Sequence, residues 1–206
     1  MRTITLRGRG PNTMSIGMLE ETERAVDDAK DEPILLTGEG NAFSAGLDLD
    51  ALATMDAAGV RRLLEGIERL AVRLFMHPAP TVALINGHAI AGGCLVAQCC
   101  DLRIAARDPK LRVGMTGVAI GLTYPPIVLE VFRARLTAPA VETVLLSAER
   151  FDVERALALG LVDELAAPDE ARALAETRLA ERAALPRTSY AATKLALRAP
   201  RIAASE

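Results

Sequence analysis

The stretch from Ala79 to Asp101, APTVALINGHAIAGGCLVAQCCD, constrains the fold of this chain more than any other. No Asp, Glu, Lys or Arg falls between His77 and Asp101, yet an Asn-Gly pair and a Gly-Gly pair interrupt the run. It reads as a buried strand over Thr81–Ile85, a tight turn at Asn86-Gly87 and a helix that opens at Gly92-Gly93. A helix N-terminus presents backbone N–H groups without intrahelical acceptors and the positive end of a dipole. Glycine there lets a ligand approach the main chain with no Cβ in the way. Such a place can hold an oxygen on which negative charge develops. Two plainer readings compete. An uncharged run of this length can be a membrane span, but Asn86, His88, the glycines and Gln98 lie in its middle and no polybasic flank follows. It can also be a core strand and core helix with a close Gly-Gly contact and no ligand.

At 206 residues the chain is long enough for one domain with a sizeable core. Half of it is apolar but only 3% is aromatic, so the core is mostly Ala, Leu, Val and Ile, a composition that favours helices packed closely on a sheet. Net charge is −3 with acids and bases mixed along the chain, which argues against a nucleic-acid surface. No basic segment followed by an apolar one opens the sequence, so no secretory signal is expected. Cys94, Cys99 and Cys100 all fall on the central helix. An odd count with two adjacent makes neither a disulfide framework nor a metal site, and buried thiols in a reducing cytoplasm fit better. Cys94, in the first helical turn, is the one thiol placed for reactivity.

Taken in order, Thr3–Leu6 is a short strand closed by the Gly-Arg-Gly-Pro turn at 8–11. A helix follows over 15–29 with Met18, Leu19, Thr22, Val26 and Ala29 as its apolar stripe. Residues 33–37, PILLT, form a fully buried strand. The next segment, GEGNAFSAGLDLDAL (38–52), is a glycine-rich loop that turns into a helix near Asp48, with Asp48 or Asp50 as cap or first-turn acid. Residues 57–76 form a long amphipathic helix whose stripe is Val60, Leu63, Leu64, Ile67, Leu70, Ala71 and Leu74. Strands are expected at 102–105, 111–113 and 162–165. A second glycine- and proline-marked loop spans 114–126, and helices follow at 126–135, 138–147, 152–159 and 168–197, the last broken at Pro186. Strands alternating with helices argue an α/β domain with mostly parallel strands. Crossover connections bring its two strand-to-helix loops to one end of the sheet.

Residues 32–52, EPILLTGEGNAFSAGLDLDAL, and 80–106, PTVALINGHAIAGGCLVAQCCDLRIAA, resemble the two signature segments of the crotonase, or enoyl-CoA hydratase/isomerase, superfamily, in the right order and spacing. The resemblance implies a ββα spiral with surrounding helices as a single domain over 1–206: a spiral core over 1–165, then a shortened C-terminal helical region over 166–206. It implies a cytoplasmic enzyme that assembles as a homotrimer or a dimer of trimers. The substrate is an acyl-CoA thioester, with coenzyme A entering as part of it and neither a metal nor a separate cofactor. The backbone N–H groups of Leu47 and Gly92 would form an oxyanion hole for the thioester carbonyl. Ser44, Ala45, Gly46, Asp48, Gly93, Gly117 and Tyr124 would line the substrate. Two departures stand out. Hydratases of the family carry glutamates where this chain has Leu95 and Gly117, while GMTGVAIGLTYPP (114–126) looks closer to the Δ3,Δ2-enoyl-CoA isomerase branch, which uses the second glutamate alone.

Other groups must then move protons. Glu130 stands alone in the apolar helical run IVLEVFRAR, where burial would raise its pKa toward that of a general base; pairing with Arg133 or Arg135 is the alternative. Tyr124 is a proton donor or a packed ring, and His88 a structural or a catalytic histidine. The expected function is enolate stabilisation of the enoyl-CoA isomerase/hydratase type. Decarboxylation through the same enolate and a non-catalytic acyl-CoA binder are the alternatives. A serine peptidase on the related Clp-type fold is set aside, because neither His77 nor His88 lies near a glycine-flanked serine.

Overall fold

The computed structural model describes residues 1–205. The chain opens with β1 (Arg2–Leu6), an irregular turn α1 (Arg9–Asn12), β2 (Thr13–Met14) and α2 (Ile16–Ala29). Next come β3 (Ile34–Gly38), β4 (Ala42–Ser44), β5 (Gly46–Leu47), α3 (Leu49–Thr54) and α4 (Ala57–Met76). The centre is β6 (Thr81–Ile85), β7 (His88–Ile90), α5 (Gly92–Cys99), β8 (Leu102–Ala106), β9 (Val113–Gly114) and a 3-10 turn at Gly117–Ile120. The remainder is α6 (Pro126–Arg135), α7 (Ala138–Leu146), α8 (Val153–Leu159), β10 (Glu164–Ala166), α9 (Ala171–Ala183) and α10 (Arg187–Ala203).

β1, β3, β6, β8 and β10 lie in that order in one sheet, and every pairing in it is parallel. β4, β7 and β9 form a smaller parallel sheet, and β2 pairs with β5. Each strand of the large sheet from β3 to β8 thus hands the chain to a strand of the small one before a helix returns it, which is a repeating ββα unit. β3, β6 and β8 are buried at all five positions, as continuous apolar strands covered on both faces should be. The one cation among them, Arg103, donates Nη2 to Asp163 at 2.9 Å and to the Gly160 carbonyl at 3.1 Å.

The long elements lie where the apolar spacing places them. α2 starts on the Ser15 cap, whose hydroxyl accepts from the Met18 amide, and buries the expected stripe. α4 buries Leu63, Ile67, Leu70, Ala71 and Leu74 together with Gly66 and Phe75, whereas Val60 and Leu64 are only half-buried. The short strands depart from expectation. β4, β5 and β7 lie in segments read as loop or turn, because two or three residues carry no periodicity. Residues 111–113 pair only from Val113, the last strand begins at Glu164, and the C-terminal helices begin at Ala171 and run through Pro200 to Ala203.

A buried charge cluster fastens α10 to the core. Asp101, at the end of α5, accepts from Lys194 Nζ at 2.8 Å, Arg198 at 2.6 Å, the Tyr190 hydroxyl at 2.8 Å and the Thr81 amide at 2.9 Å. Arg198 also reaches the Phe75 carbonyl and stacks 4.4 Å from the Phe75 ring centre. Burial alone would raise the Asp101 pKa, but the two cations and the hydrogen bonds hold it below the ordinary carboxylate value. Removing the carboxylate strands two buried cations. Asp101→Ala is therefore expected to cost about 3–5 kcal/mol and to release α10, read by urea unfolding and by faster proteolysis within residues 187–203.

Candidate active site

The corner where β5 meets α5 is built by side chains that fix main chain. Asn86 accepts from the Gly38 amide at 3.0 Å and donates Nδ2 to the Gly38 and Gly40 carbonyls, holding the loop that precedes β4. Asn12, buried and at a φ of 56°, donates Nδ2 to the carbonyls of Glu39 and Ala42. Ser44 donates to the Asn12 carbonyl at 2.8 Å and accepts the Gly46 amide at 3.2 Å. The Ala45 amide is taken by the Pro11 carbonyl. Gly46 is thereby held at a φ of +79°, a conformation that favours glycine.

Gly46 lies against the start of α5. A Cβ on Gly46 would come within 2.8 Å of the Gly92 amide nitrogen and of the Ala91 Cβ, and one on Gly93 within 2.2 Å of the Ser44 carbonyl oxygen. Ala91, the N-cap, takes φ 50° and ψ −117°, a strained setting for an L-residue, while its own amide is bonded to the Gly114 carbonyl at 2.8 Å. The turn swings the chain sharply from β7 into α5 and leaves the first-turn amides, Gly92 foremost, without intrahelical acceptors. Met14 backs the corner, its Sδ 2.7 Å from where a Gly92 Cβ would stand. Leu47 is half-buried at the end of β5, and Asp48 caps α3 by accepting from the Ala51 amide at 3.1 Å. That bond, helped by Arg9 and Thr13, lowers the Asp48 pKa against the opposing effect of burial.

The second loop joins the same corner, since β9 pairs with β7 and ends at Gly114 beside Ile90. At Gly117 a Cβ would lie 2.8 Å from Tyr124 Cε1 and 3.1 Å from its hydroxyl oxygen, and that hydroxyl accepts the Gly117 amide at 2.9 Å. The Tyr124 ring fills the space a side chain at 117 would need. Burial raises its phenol pKa, and the amides of Gly117 and Val118 oppose the shift. Leu95 is core, 2% exposed.

Glu130 departs from expectation. Its carboxylate is bonded to Arg133 at 2.7 Å and to Arg201 at 3.2 Å. The Arg133 bond, then Arg201, pull its pKa below the ordinary value despite some desolvation, so the raised pKa expected for a general base is not found. Arg135, the other partner considered, caps α5 instead by donating to the carbonyls of Gln98 and Cys100. His88 is exposed and accepts the Arg112 amide through Nδ1. Cys94 is buried with its thiol pushed up to about 12, which removes it as a nucleophile. Among the described residues no cluster of three or more His, Cys, Asp or Glu is placed to hold a metal ion, and no helix is long and apolar enough to cross a membrane.

A family model described as enoyl-CoA hydratase/isomerase matches residues 1–204. The chain belongs to the enoyl-CoA hydratase/isomerase family. It is 30% identical over 198 residues to mouse mitochondrial enoyl-CoA delta isomerase 1, covering 94% of this chain and 68% of that one. Among solved structures it is similar to the enoyl-CoA hydratase of Mycobacterium ulcerans, with TM-score 0.91, 32% identity, and coverage of 98% of this chain and 89% of that one. It is also similar to human mitochondrial delta3-delta2-enoyl-CoA isomerase, with TM-score 0.93, 26% identity, and coverage of 98% and 80%. The chain spans about two thirds of the length of the curated relatives it matches.

Within this family member, sequence reasoning missed Asn12 and Met14. Both sit between the turn at 8–11 and the helix expected from 15, in three residues too few to show a pattern. The Gly117–Tyr124 contact gives a direct test. Gly117→Ala is expected to cost about 1–3 kcal/mol from overpacking, and a second change, Tyr124→Ala, should relieve that added strain. Thermal unfolding of the two single variants and the double variant measures the coupling.

Proposed function

We propose that the chain is an acyl-CoA enzyme of the enoyl-CoA isomerase/hydratase type, in which the amides of Leu47 and Gly92 receive the thioester oxygen as an enolate forms. The observation that carries this reading is the contact of Gly46 with Gly92, which brings the end of one strand against the uncapped start of α5. Donors of this kind contribute about 3–4 kcal/mol each to the transition state. Ser44, Ala45, Asp48 and Gly93 shape the corner without carrying charge to the reacting carbons. Assembly as trimers or paired trimers in the cytoplasm belongs to the same proposal.

For the proton, the geometry favours Tyr124 over Glu130. Glu130 spends its carboxylate on two arginines, whereas the Tyr124 oxygen rests on the Gly117 amide in a loop tied to Ala91 through Gly114. As phenoxide, Tyr124 takes the α-proton of a 3-enoyl thioester; as phenol it returns that proton to the γ-carbon, which closes the cycle. Burial holds the phenol above its ordinary value, so phenoxide is scarce at neutral pH and the rate should climb with pH into the alkaline range.

Following absorbance with 3-enoyl-CoA and 2-enoyl-CoA tests the proposal. Isomerisation is expected, with Tyr124→Phe slower by about 100-fold and without the alkaline rise, and with Glu130→Gln close to the parent. Gly46→Ala, which forces the two segments apart, should lose about 100-fold in turnover. Thioester binding with no turnover on either substrate would make the chain a binder and overturn the enzyme reading.

A further inference from the structure

The C-terminal end of α5 faces a different environment from its N-terminal end. A cleft of about 600 Å3 opens there between α6, α9 and α10, lined by Arg135, Arg182, Lys194, Arg198 and Arg201 around the single carboxylate of Asp101. Asp101 is already shared by Lys194 and Arg198, and Arg201 reaches Glu130. Arg135 and Arg182 have no carboxylate within ion-pair distance among the described residues: Arg135 donates to the carbonyls of Gln98 and Cys100, and Arg182 to that of Arg178. The hydroxyls of Ser189 and Thr193 also line the cleft. Positive charge therefore exceeds negative charge in a concave and partly desolvated place.

The side chains register that excess. Lys194 is depressed to about 8 and Arg135 to about 10, in each case first by burial, with Arg198 adding repulsion. A bound dianion would reverse both effects and would find guanidinium groups, which match phosphate geometry through paired N–H donors.

We propose that this cleft binds a phosphate-type dianion, either free phosphate or the phosphoryl end of a small ester, at a site separate from the Gly46–Gly92 corner. The eight residues of α5 set the two apart by about 12 Å along its axis. Arg182 and Arg201, on the rim, would close on the anion, while Lys194 and Arg198 hold its floor.

The test uses the whole chain with inorganic phosphate as probe, read by thermal unfolding and calorimetry against sodium chloride at matched ionic strength. Saturable stabilisation is expected in phosphate alone, about 5–10 °C at a hundredfold excess over Kd. Arg182→Ala and Arg201→Ala should each weaken binding about tenfold or more without unfolding the protein, since neither belongs to the buried Asp101 cluster. Glycerol 3-phosphate binding tighter than phosphate would identify an ester end as the ligand, and equal or weaker binding would identify free phosphate. The proposal is overturned if phosphate and chloride act alike, if both variants keep the full response, or if an acyl-CoA displaces the phosphate competitively.

Discussion

Two stretches of main chain, far apart in sequence, meet where Gly46 faces Gly92, and they can meet only because neither carries a side chain there. The approach is enforced from both sides. Asn12, Ser44 and the Pro11 carbonyl pin residues 44–46, while the strained Ala91 turn, tied to Gly114, aims the start of α5 at them. Strain in Ala91 persists because the small parallel sheet over-determines it: β7 lies between β4 and β9, so the turn cannot relax without breaking both pairings. The chemistry proposed for the chain uses the Gly92 amide, left without an intrahelical acceptor at the head of α5, together with the Leu47 amide at the end of β5.

The same helix is anchored at its other end by charge. Asp101, Lys194, Arg198 and Tyr190 form a buried network, and Arg135 caps the last carbonyls of α5. α10 is thereby part of the core although most of its surface is polar. A network with more cations than carboxylates is stable only if its desolvation is offset by hydrogen bonds, which here come from the carbonyls of Phe75, Ala79, Gln98 and Cys100. One helix thus carries a neutral, amide-rich head and a cation-ringed foot, and the two ends attract different chemistry.

Much of this was legible in the sequence because it is written in long, regular patterns. The buried strands, most of the apolar stripes of α2 and α4 and the opening of α5 at its glycine pair follow from spacing and glycine placement alone, whereas Ser15, read as the first helical residue, is the cap of α2. The two glycine-rich segments marked the corner and the family. What did not read out depends on contacts between remote residues. β4, β5 and β7 are too short to show a period. Asn12 serves the corner through carbonyls some thirty residues away. Glu130 looked like an isolated acid because its second partner, Arg201, lies on the last helix. The glycine at 117 reads in sequence as a loss, and only the packing shows that the Tyr124 ring takes up the space.

The most direct measurement is a crystal structure with a thioester whose carbonyl carries enolate character, such as acetoacetyl-CoA. The account predicts the thioester oxygen about 2.7–3.1 Å from both the Leu47 and Gly92 nitrogens, with the acyl chain passing Tyr124. A thioester oxygen bound elsewhere, or amides of Leu47 and Gly92 directed away from a common point, would contradict it.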